Sequence, residues 1–154
     1  MKSADDDSSI SVRVLLVEDN EGDVRLTREA FRDANMAIDL SVARDGVDAL
    51  NYLHATGDHA QAERPDLILL DLNLPRMNGR EVLAHIKADE ALKSIPVVIL
   101  TTSDSDADIT ASYQLQANCF LCKPVQLAAF ESLVHSLNDF WLTKALLPLK
   151  GRPA

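Results

Sequence analysis

Charged or hydroxyl-bearing residues directly follow four short segments of this sequence that are almost wholly apolar. Those residues are Glu18 and Asp19, Asp71, Thr101 and Lys123. If the four segments are strands of one parallel sheet, their carboxyl ends meet at the same edge, where ligands bind in such sheets. The sequence therefore predicts a single site built from three carboxylates, a hydroxyl and an ammonium group.

The three carboxylates of this set indicate a site for a hard divalent cation. Glu18, Asp19 and Asp71 would repel one another strongly at close range, and a bound cation would relieve that repulsion. Oxygen ligands without a cysteine or histidine cluster favour Mg²⁺ or Mn²⁺ over zinc. We therefore expect Mg²⁺ as the cofactor.

Asp71 is the best candidate for a nucleophile, because an apolar strand would hold its carboxylate at the rim of the core. A carboxylate that attacks phosphorus forms an acyl phosphate, which is a form of covalent catalysis. Lys123 would supply a positive charge and Thr101 a hydroxyl donor to the phosphoryl oxygens. Phosphoryl transfer needs little from a protein beyond such positioning and electrostatic stabilisation.

The elements that must position these residues alternate along the chain five times. Apolar segments predict strands at 12–17, 38–43, 67–70, 96–100 and 119–122. Apolar residues spaced by three or four predict helices at about 21–35, from 46, from 79, and at 106–116 and 126–146. Asp45 and Asn78 are expected as N-caps, and Glu81 would complete a capping box with Asn78.

Strands that are apolar on both faces are typical of a parallel sheet covered by helices on each side. Right-handed crossovers and five strand–helix units predict a flavodoxin-like α/β fold. Its doubly wound five-stranded parallel sheet would have the strand order 2-1-3-4-5. We expect one domain over residues 12–147 with an extended last helix, between a disordered acidic tail at 1–11 and a short tail at 148–154.

Charge and composition restrict the partners of the protein. Its 154 residues carry a net charge of −9 at pH 7, which disfavours direct binding of a nucleic acid. No run of 18 apolar residues is present, so no membrane span is expected. The N-terminus lacks the apolar region of a signal peptide, and a cytoplasmic location is therefore expected.

Four motifs, in this order and spacing, resemble the receiver domains of two-component response regulators. They are VLLVEDN, LILLDLNLPRMNG, PVVILTTS and FLCKPV, and the resemblance covers about residues 12–140. Each motif alone is weak, whereas the four together are highly specific. The resemblance implies a CheY-like receiver that accepts a phosphoryl group from a sensor histidine kinase. Such a domain is a signalling module and not an enzyme, since it would catalyse only its own phosphorylation and dephosphorylation.

The resemblance also implies which residues hold the metal ion. Asp71 would be both the phosphoacceptor and a ligand, and Asp19 would bind Mg²⁺ directly. Glu18 stands where aspartate is commoner in the family, and it would act mostly through water. The backbone carbonyl of Asn73 would be a further ligand.

Other residues match the parts of the family that bind and sense the phosphoryl group. Thr101 and Lys123 would bind the phosphoryl oxygens. Phe120 would be an aromatic switch that turns inward when Thr101 moves. The peptide bond between Lys123 and Pro124 would be cis, as it usually is in such domains.

A narrower resemblance concerns the end of the chain. The segments NCFLCKPV and NDFWLTKALLP look like those of the single-domain regulators that partner bacterial phytochrome histidine kinases. That resemblance implies a homodimer formed through helix 4, strand 5 and helix 5. Helix 5 supports it, because a core-facing stripe of Leu127, Phe130, Val134, Leu137 and Trp141 leaves further apolar residues unused. The expected interface residues are Phe140, Trp141, Leu142 and Leu146.

Two other functions, a phosphatase and an adaptor, are compatible with parts of this pattern. A Mg²⁺-dependent phosphatase with an aspartyl nucleophile needs a second acid two residues after it, and Asn73 cannot serve as that acid. A phosphorylation-independent dimeric adaptor would be expected to have lost an acidic residue, Thr101 or Lys123, and all of these are present. The adaptor stays the alternative to the phosphorylated regulator.

Overall fold

The computed structural model describes residues 12–32, 38–142 and 147–148, which form a five-stranded sheet with helices on both faces. The strands are β1 (Val12–Val17), β2 (Ile38–Ala43), β3 (Leu67–Leu70), β4 (Val97–Thr101) and β5 (Cys119–Cys122). The helices are α1 (Glu21–Arg32), α2 (Gly46–Leu53), α3 (Gly79–Ala88), α4 (Asp106–Gln114) and α5 (Leu127–Leu137). A short 3-10 helix at Gly57–His59 follows α2, and a π-helical turn at Asn138–Leu142 follows α5.

The strand order is β2-β1-β3-β4-β5, and every neighbouring pair is parallel. Both the flavodoxin-like fold and its strand order are therefore confirmed. The order reverses between β1 and β3, where Val17 lies opposite Leu70. A crevice forms at such a reversal, beyond the carboxyl ends of the strands.

The sheet separates two hydrophobic clusters, and alternate residues of each central strand enter opposite clusters. Ile68 and Leu70 face the cluster that includes residues of α2 and α3, whereas Leu67 and Leu69 face the cluster that includes residues of α1 and α5. All residues of β3 and β4 are buried. The central strands are apolar on both faces because helices cover both faces.

The two predicted helix caps are present. The Asp45 side chain accepts a hydrogen bond from the backbone N–H of Asp48, with 2.7 Å between nitrogen and oxygen. Asn78 and Glu81 form a reciprocal capping box, in which each side chain accepts from the other's backbone N–H at 3.0 and 3.1 Å. These bonds satisfy amide groups that have no partner inside the helix.

The last helix differs from its prediction in two respects. Regular α-helix ends at Leu137, and the following turn is π-helical up to Leu142. Phe130, Val134 and Leu137 are buried as expected, but Leu127 is 61% exposed, so its placement in the core stripe was wrong. Leu127 is the first residue of α5, and its side chain stays outside the core although its spacing matches that of the stripe.

Several predicted features lie outside the described residues. These are the tail at 1–11, the tail beyond Pro148, the end of the first helix at 33–35, and residues 143–146 of the last helix. Within the described part, no helix combines the length and the apolar composition that crossing a bilayer requires.

Gly79 fixes the start of α3 against the carboxyl end of β3. A β-carbon at this position would lie 2.2 Å from the carbonyl oxygen of Asp71 and 2.6 Å from Cα of Leu72. The Gly79 backbone N–H also donates to the carbonyl of Leu72 at 2.9 Å. Only a residue without a side chain permits this approach between two backbone segments.

We expect the Gly79→Ala substitution to destabilise the fold by about 2 kcal/mol, since the methyl group collides with backbone that cannot move freely. Gly22→Ala in α1 is the matched control, because the atom near its β-carbon is the end of the Asn20 side chain at 3.2 Å. The control should lie within about 1 kcal/mol of the wild type or gain helix propensity. Urea unfolding measures both, and equal stabilities would contradict this account.

Candidate functional site

Glu18 and Asp71 lie side by side at the carboxyl edge of the sheet. They follow Val17 and Leu70, which are opposite each other in the register of β1 and β3. The Asp71 backbone N–H donates to the carbonyl of Val17 at 3.1 Å, which extends the strand pairing to the first residue of the site. The pairing of the two central strands therefore decides the separation of these two acids.

Asp19 joins them to form a cluster of three carboxylates. One oxygen from each of Glu18, Asp19 and Asp71 lies within 4.8 Å of the others. Glu18 and Asp71 are buried, whereas Asp19 is exposed to solvent. The predicted metal-binding acids are thus brought together, with one open side.

The ammonium group of Lys123 lies among carboxylates and is itself buried. Its Nζ atom is 3.1 Å from Asp71 Oδ2 and 2.9 Å from Asp23 Oδ2, and it also donates to Glu18 Oε1. A buried ammonium group is expected to be paired with opposite charges, because its desolvation is costly. Lys123 therefore provides the positive charge that this group of acids needs.

Burial and charge act on the ionisation of this cluster. Burial raises the pKa of Glu18 to about 7, although the hydrogen bond and the charge of Lys123 act in the opposite direction. Burial by itself would lower the pKa of Lys123, but its hydrogen bonds to Glu18 and Asp23 and the charges of Glu18 and Asp71 outweigh burial and raise it. Lys123 is therefore cationic at neutral pH.

Thr101 ends β4 and carries a buried hydroxyl group. Its Oγ1 atom has no hydrogen-bond partner among the described residues. The backbone carbonyl of Thr101 accepts from the backbone N–H of Lys123 at 2.6 Å, which ties the two residues together. A buried hydroxyl is normally paired, so this one is available to a ligand.

The loop after β3 contacts the carboxylate of Asp71 through a backbone N–H group. The backbone N–H of Asn73 donates to Asp71 Oδ1 at 3.1 Å, and Asn73 is exposed. Arg76 has a positive φ of 67° in this loop, and its guanidinium lies 3.2 Å from Asp45 Oδ2. The predicted role of the Asn73 carbonyl as a metal ligand stays a prediction.

The peptide bond between Lys123 and Pro124 is trans, because the described part of the chain contains no cis peptide bond. The predicted cis bond is wrong. The trans form of a bond before proline is favoured by about 0.5–1 kcal/mol in the absence of other constraints. Lys123 reaches all three of its carboxylate partners with this bond trans.

Phe120 lies on the edge strand β5 and is half-buried against the cluster of α2 and α3. Its backbone N–H donates to the Tyr113 hydroxyl of α4 at 3.1 Å. Phe120 lies three residues before Lys123, and Cys122 between them lies opposite Thr101 in the register of β4 and β5.

The donor set fits a hard divalent cation next to a phosphoryl group. The three clustered carboxylates are the oxygen ligands that Mg²⁺ prefers, and their open side leaves room for water and phosphate oxygens. The unpartnered Thr101 hydroxyl and the Lys123 ammonium group are donors that a phosphoryl group can use.

Comparison with known proteins assigns the family. Residues 14–135 match the response regulator receiver domain, which covers most of the chain. The chain belongs to the response regulator receiver family. The domain is therefore a signalling module.

Individual relatives narrow the assignment. The receiver is 44% identical to the response regulator Rcp1 of Synechocystis sp., over 93% of this chain and 97% of that one. The Mn²⁺-bound crystal structure of Rcp1 superposes with a TM-score of 0.87 and covers 89% of this chain and 99% of that one, at 44% identity. The phosphorylated cyanobacterial phytochrome response regulator RcpA superposes with a TM-score of 0.88 at 47% identity, over 90% and 99% of the two chains. The chain is thus a response regulator that is similar over almost its whole length to Rcp1 and RcpA.

Asp23 is the residue of this site that the sequence motifs do not indicate. It lies in the first turn of α1, where an acid is expected simply because of the helix dipole. The sequence signal that could have indicated Asp23 is its spacing, because it follows Asp19 by four residues and both lie near the start of α1.

The predicted dimer residues are only partly described. Phe140 is 55% exposed, and Trp141 is half-buried against the cluster of α1 and α5. The Leu142 side chain and all of Leu146 lie outside the description. The two aromatic rings of Phe140 and Trp141 meet edge to face, with 5.6 Å between their centroids.

We expect the Thr101→Val substitution to leave the unphosphorylated fold as stable as the wild type or to stabilise it by about 1 kcal/mol, because the removed hydroxyl is buried without a partner. The control is Thr27→Val, which removes a buried hydroxyl that donates to the Asp23 carbonyl at 2.8 Å. The control should cost about 1 kcal/mol. Urea unfolding compares them, and an equal loss in both variants would refute the assignment of Thr101 as an unpaired donor.

Proposed function

We propose that Asp71 accepts a phosphoryl group from a sensor histidine kinase, in a Mg²⁺-dependent reaction, and that the phosphorylated receiver signals through a changed partner or dimer surface. Glu18, Asp19, Asp71 and the backbone carbonyl of Asn73 would hold the ion. Bound Mg²⁺ supplies charge neutralisation for the phosphoryl oxygens. The observation that carries the proposal is that three carboxylates, the Lys123 ammonium group and an unpartnered hydroxyl converge on one edge of the sheet.

The chain's own residues account for the transfer step. A carboxylate oxygen of Asp71 attacks phosphorus, so that an oxygen–phosphorus bond forms while the bond from phosphorus to the donor's histidine nitrogen breaks. Lys123 releases Asp71 Oδ2 and donates to a phosphoryl oxygen. The Asn73 backbone N–H already bonds the other Asp71 oxygen at 3.1 Å, which orients the carboxylate.

Thr101 and Phe120 would carry the change to the surface. The free Thr101 hydroxyl would donate to a phosphoryl oxygen and draw the end of β4 toward Asp71. Thr101 lies opposite Cys122, and Ile99 lies opposite Phe120, so a shift in β4 acts directly on the strand that holds the aromatic ring. The equilibrium between conformations of the face formed by α4, β5 and α5 would shift as a result.

Acetyl phosphate and Mg²⁺ should add one phosphoryl group to the wild type, and Asp71→Asn should add none, because the amide is not a nucleophile. Intact-mass spectrometry measures the gain, which EDTA should abolish. Asp58→Asn is the matched control, since Asp58 is exposed in the turn after α2 and should leave the gain unchanged.

The outcome decides between the regulator and the adaptor. Phosphorylation that survives in Asp71→Asn would place the acceptor elsewhere. A wild type that gains no phosphoryl group from acetyl phosphate or from a purified histidine kinase would favour the phosphorylation-independent dimeric adaptor.

The kinase partner is proposed to be of the phytochrome type. The support is the 47% identity to RcpA, a phytochrome response regulator, over 90% of this chain. Transfer from a phytochrome histidine kinase that is at least tenfold faster than from an unrelated kinase of the same organism would support the pairing.

The proposed dimer surface contains an apolar cleft beside β5. The cleft has a volume of about 180 Å³, and its lining includes Leu121, Leu133, Phe140 and Trp141. Phe140 lines this cleft and is more than half exposed. Aromatic residues that project beside an apolar cleft are typical of the centre of an interface.

The Phe140→Asp substitution should weaken the proposed dimer roughly tenfold or more, because a charge would be buried at the centre of the contact. Sedimentation velocity over a concentration series measures the association, with and without acetyl phosphate. Leu127→Asp is the control, since Leu127 is exposed at the start of α5 and does not line the cleft. A dimer of wild-type strength in Phe140→Asp would rule out this surface.

A further inference from the structure

The carboxylate of Asp23 holds the ammonium group of Lys123 from the side of α1. Asp23 Oδ2 lies 2.9 Å from Lys123 Nζ. Among the described residues, the acids whose oxygens cluster within 4.8 Å are Glu18, Asp19 and Asp71, so Asp23 stands outside that cluster. Asp23 therefore contacts the lysine without belonging to the set of candidate metal ligands.

The hydrogen bonds of Lys123 are fully used in this arrangement. An ammonium group has three N–H donors, and three carboxylates accept from it: those of Glu18, Asp23 and Asp71. Two of the three acceptors are also candidate ligands of the divalent ion. Lys123 and a cation therefore compete for Glu18 and Asp71, whereas Asp23 is left to the lysine alone.

The backbone of Asp23 is fixed on both sides. Its N–H donates to Asn20 Oδ1 at 3.0 Å, and its carbonyl accepts from the buried Thr27 hydroxyl at 2.8 Å. The Asp23 side chain is 24% exposed, so its charge is only partly screened by solvent. The position of this carboxylate is consequently set by α1 and does not depend on the metal ligands.

We propose that Asp23 is a positioning residue for Lys123, and this inference rests on the phosphorylation chemistry proposed above. Asp23 draws the ammonium group toward α1, which lessens the competition between Lys123 and a divalent cation for Glu18 and Asp71. Asp23 has no direct contact with the reacting atoms.

The test is the divalent-ion affinity of the Asp23→Asn variant, which keeps the size of the side chain and removes its charge. With a neutral amide at position 23, the lysine has only Glu18 and Asp71 as negatively charged partners and holds them more tightly. The dissociation constant for Mn²⁺ should therefore rise roughly three- to tenfold. Electron paramagnetic resonance of free Mn²⁺ at constant ionic strength measures this dissociation constant. In the Asp23→Glu variant the constant should lie within about twofold of the wild-type value.

A double-substitution cycle tests whether Asp23 acts through the lysine. In a Lys123→Gln background, adding Asp23→Asn should change the Mn²⁺ dissociation constant by less than about twofold. Glu29→Gln removes an equal charge from an exposed position on α1 and should have no effect. Thermal unfolding checks that every variant is folded. An unchanged affinity in Asp23→Asn, or an equal loss with and without Lys123, overturns the proposal.

Phosphorylation kinetics supply a second readout. With acetyl phosphate, Asp23→Asn should be slowed several-fold at limiting Mg²⁺ and should approach the wild-type rate at saturating Mg²⁺, since the defect is in ion binding. A rate that stays several-fold low at saturating Mg²⁺ would contradict this role. If the wild type itself gains no phosphoryl group, the proposed function fails, and the Mn²⁺ titrations still decide the role of Asp23.

Discussion

The electrostatic balance between one buried ammonium group and the acids around it is the interaction on which this site depends. Glu18 and Asp71 are almost fully buried, and they would repel each other at the distance that the pairing of β1 and β3 imposes. Lys123 offsets that repulsion in the described structure. A divalent cation would offset it in the same way, so metal binding and the position of the lysine are coupled.

The sheet is what makes such a concentration of charge possible. β3 and β4 are buried on both faces, and a strand held by neighbours on both edges and by helices on both faces cannot move its last residue easily. Gly79 extends this rigidity into the following loop, because the start of α3 contacts the backbone of Asp71 directly. The acids are therefore held in place before any ligand arrives, which is the preorganisation that phosphoryl transfer relies on.

The residues proposed for chemistry and those proposed for signal transmission are directly connected in this receiver. The carbonyl of Thr101 accepts a hydrogen bond from the N–H of Lys123, so the end of β4 is bonded directly to the end of β5. Phe120 lies three residues before Lys123 and is tied to α4 through Tyr113. A change in the partners of Lys123 thus has a short, covalent and hydrogen-bonded route to the surface formed by α4 and β5.

The sequence by itself determined the strands, their order and the three clustered acids Glu18, Asp19 and Asp71, since apolar segments and caps are local patterns and the four motifs identify the family. Only the tertiary structure decided how α5 packs, with Leu127 left exposed, and whether the peptide bond before Pro124 is cis or trans. It also decided the contact between Asp23 and Lys123, which are separated by 100 positions in the chain. Neither residue's local pattern carries information about the other. Their contact arises only when the sheet brings the start of α1 and the end of β5 to the same edge.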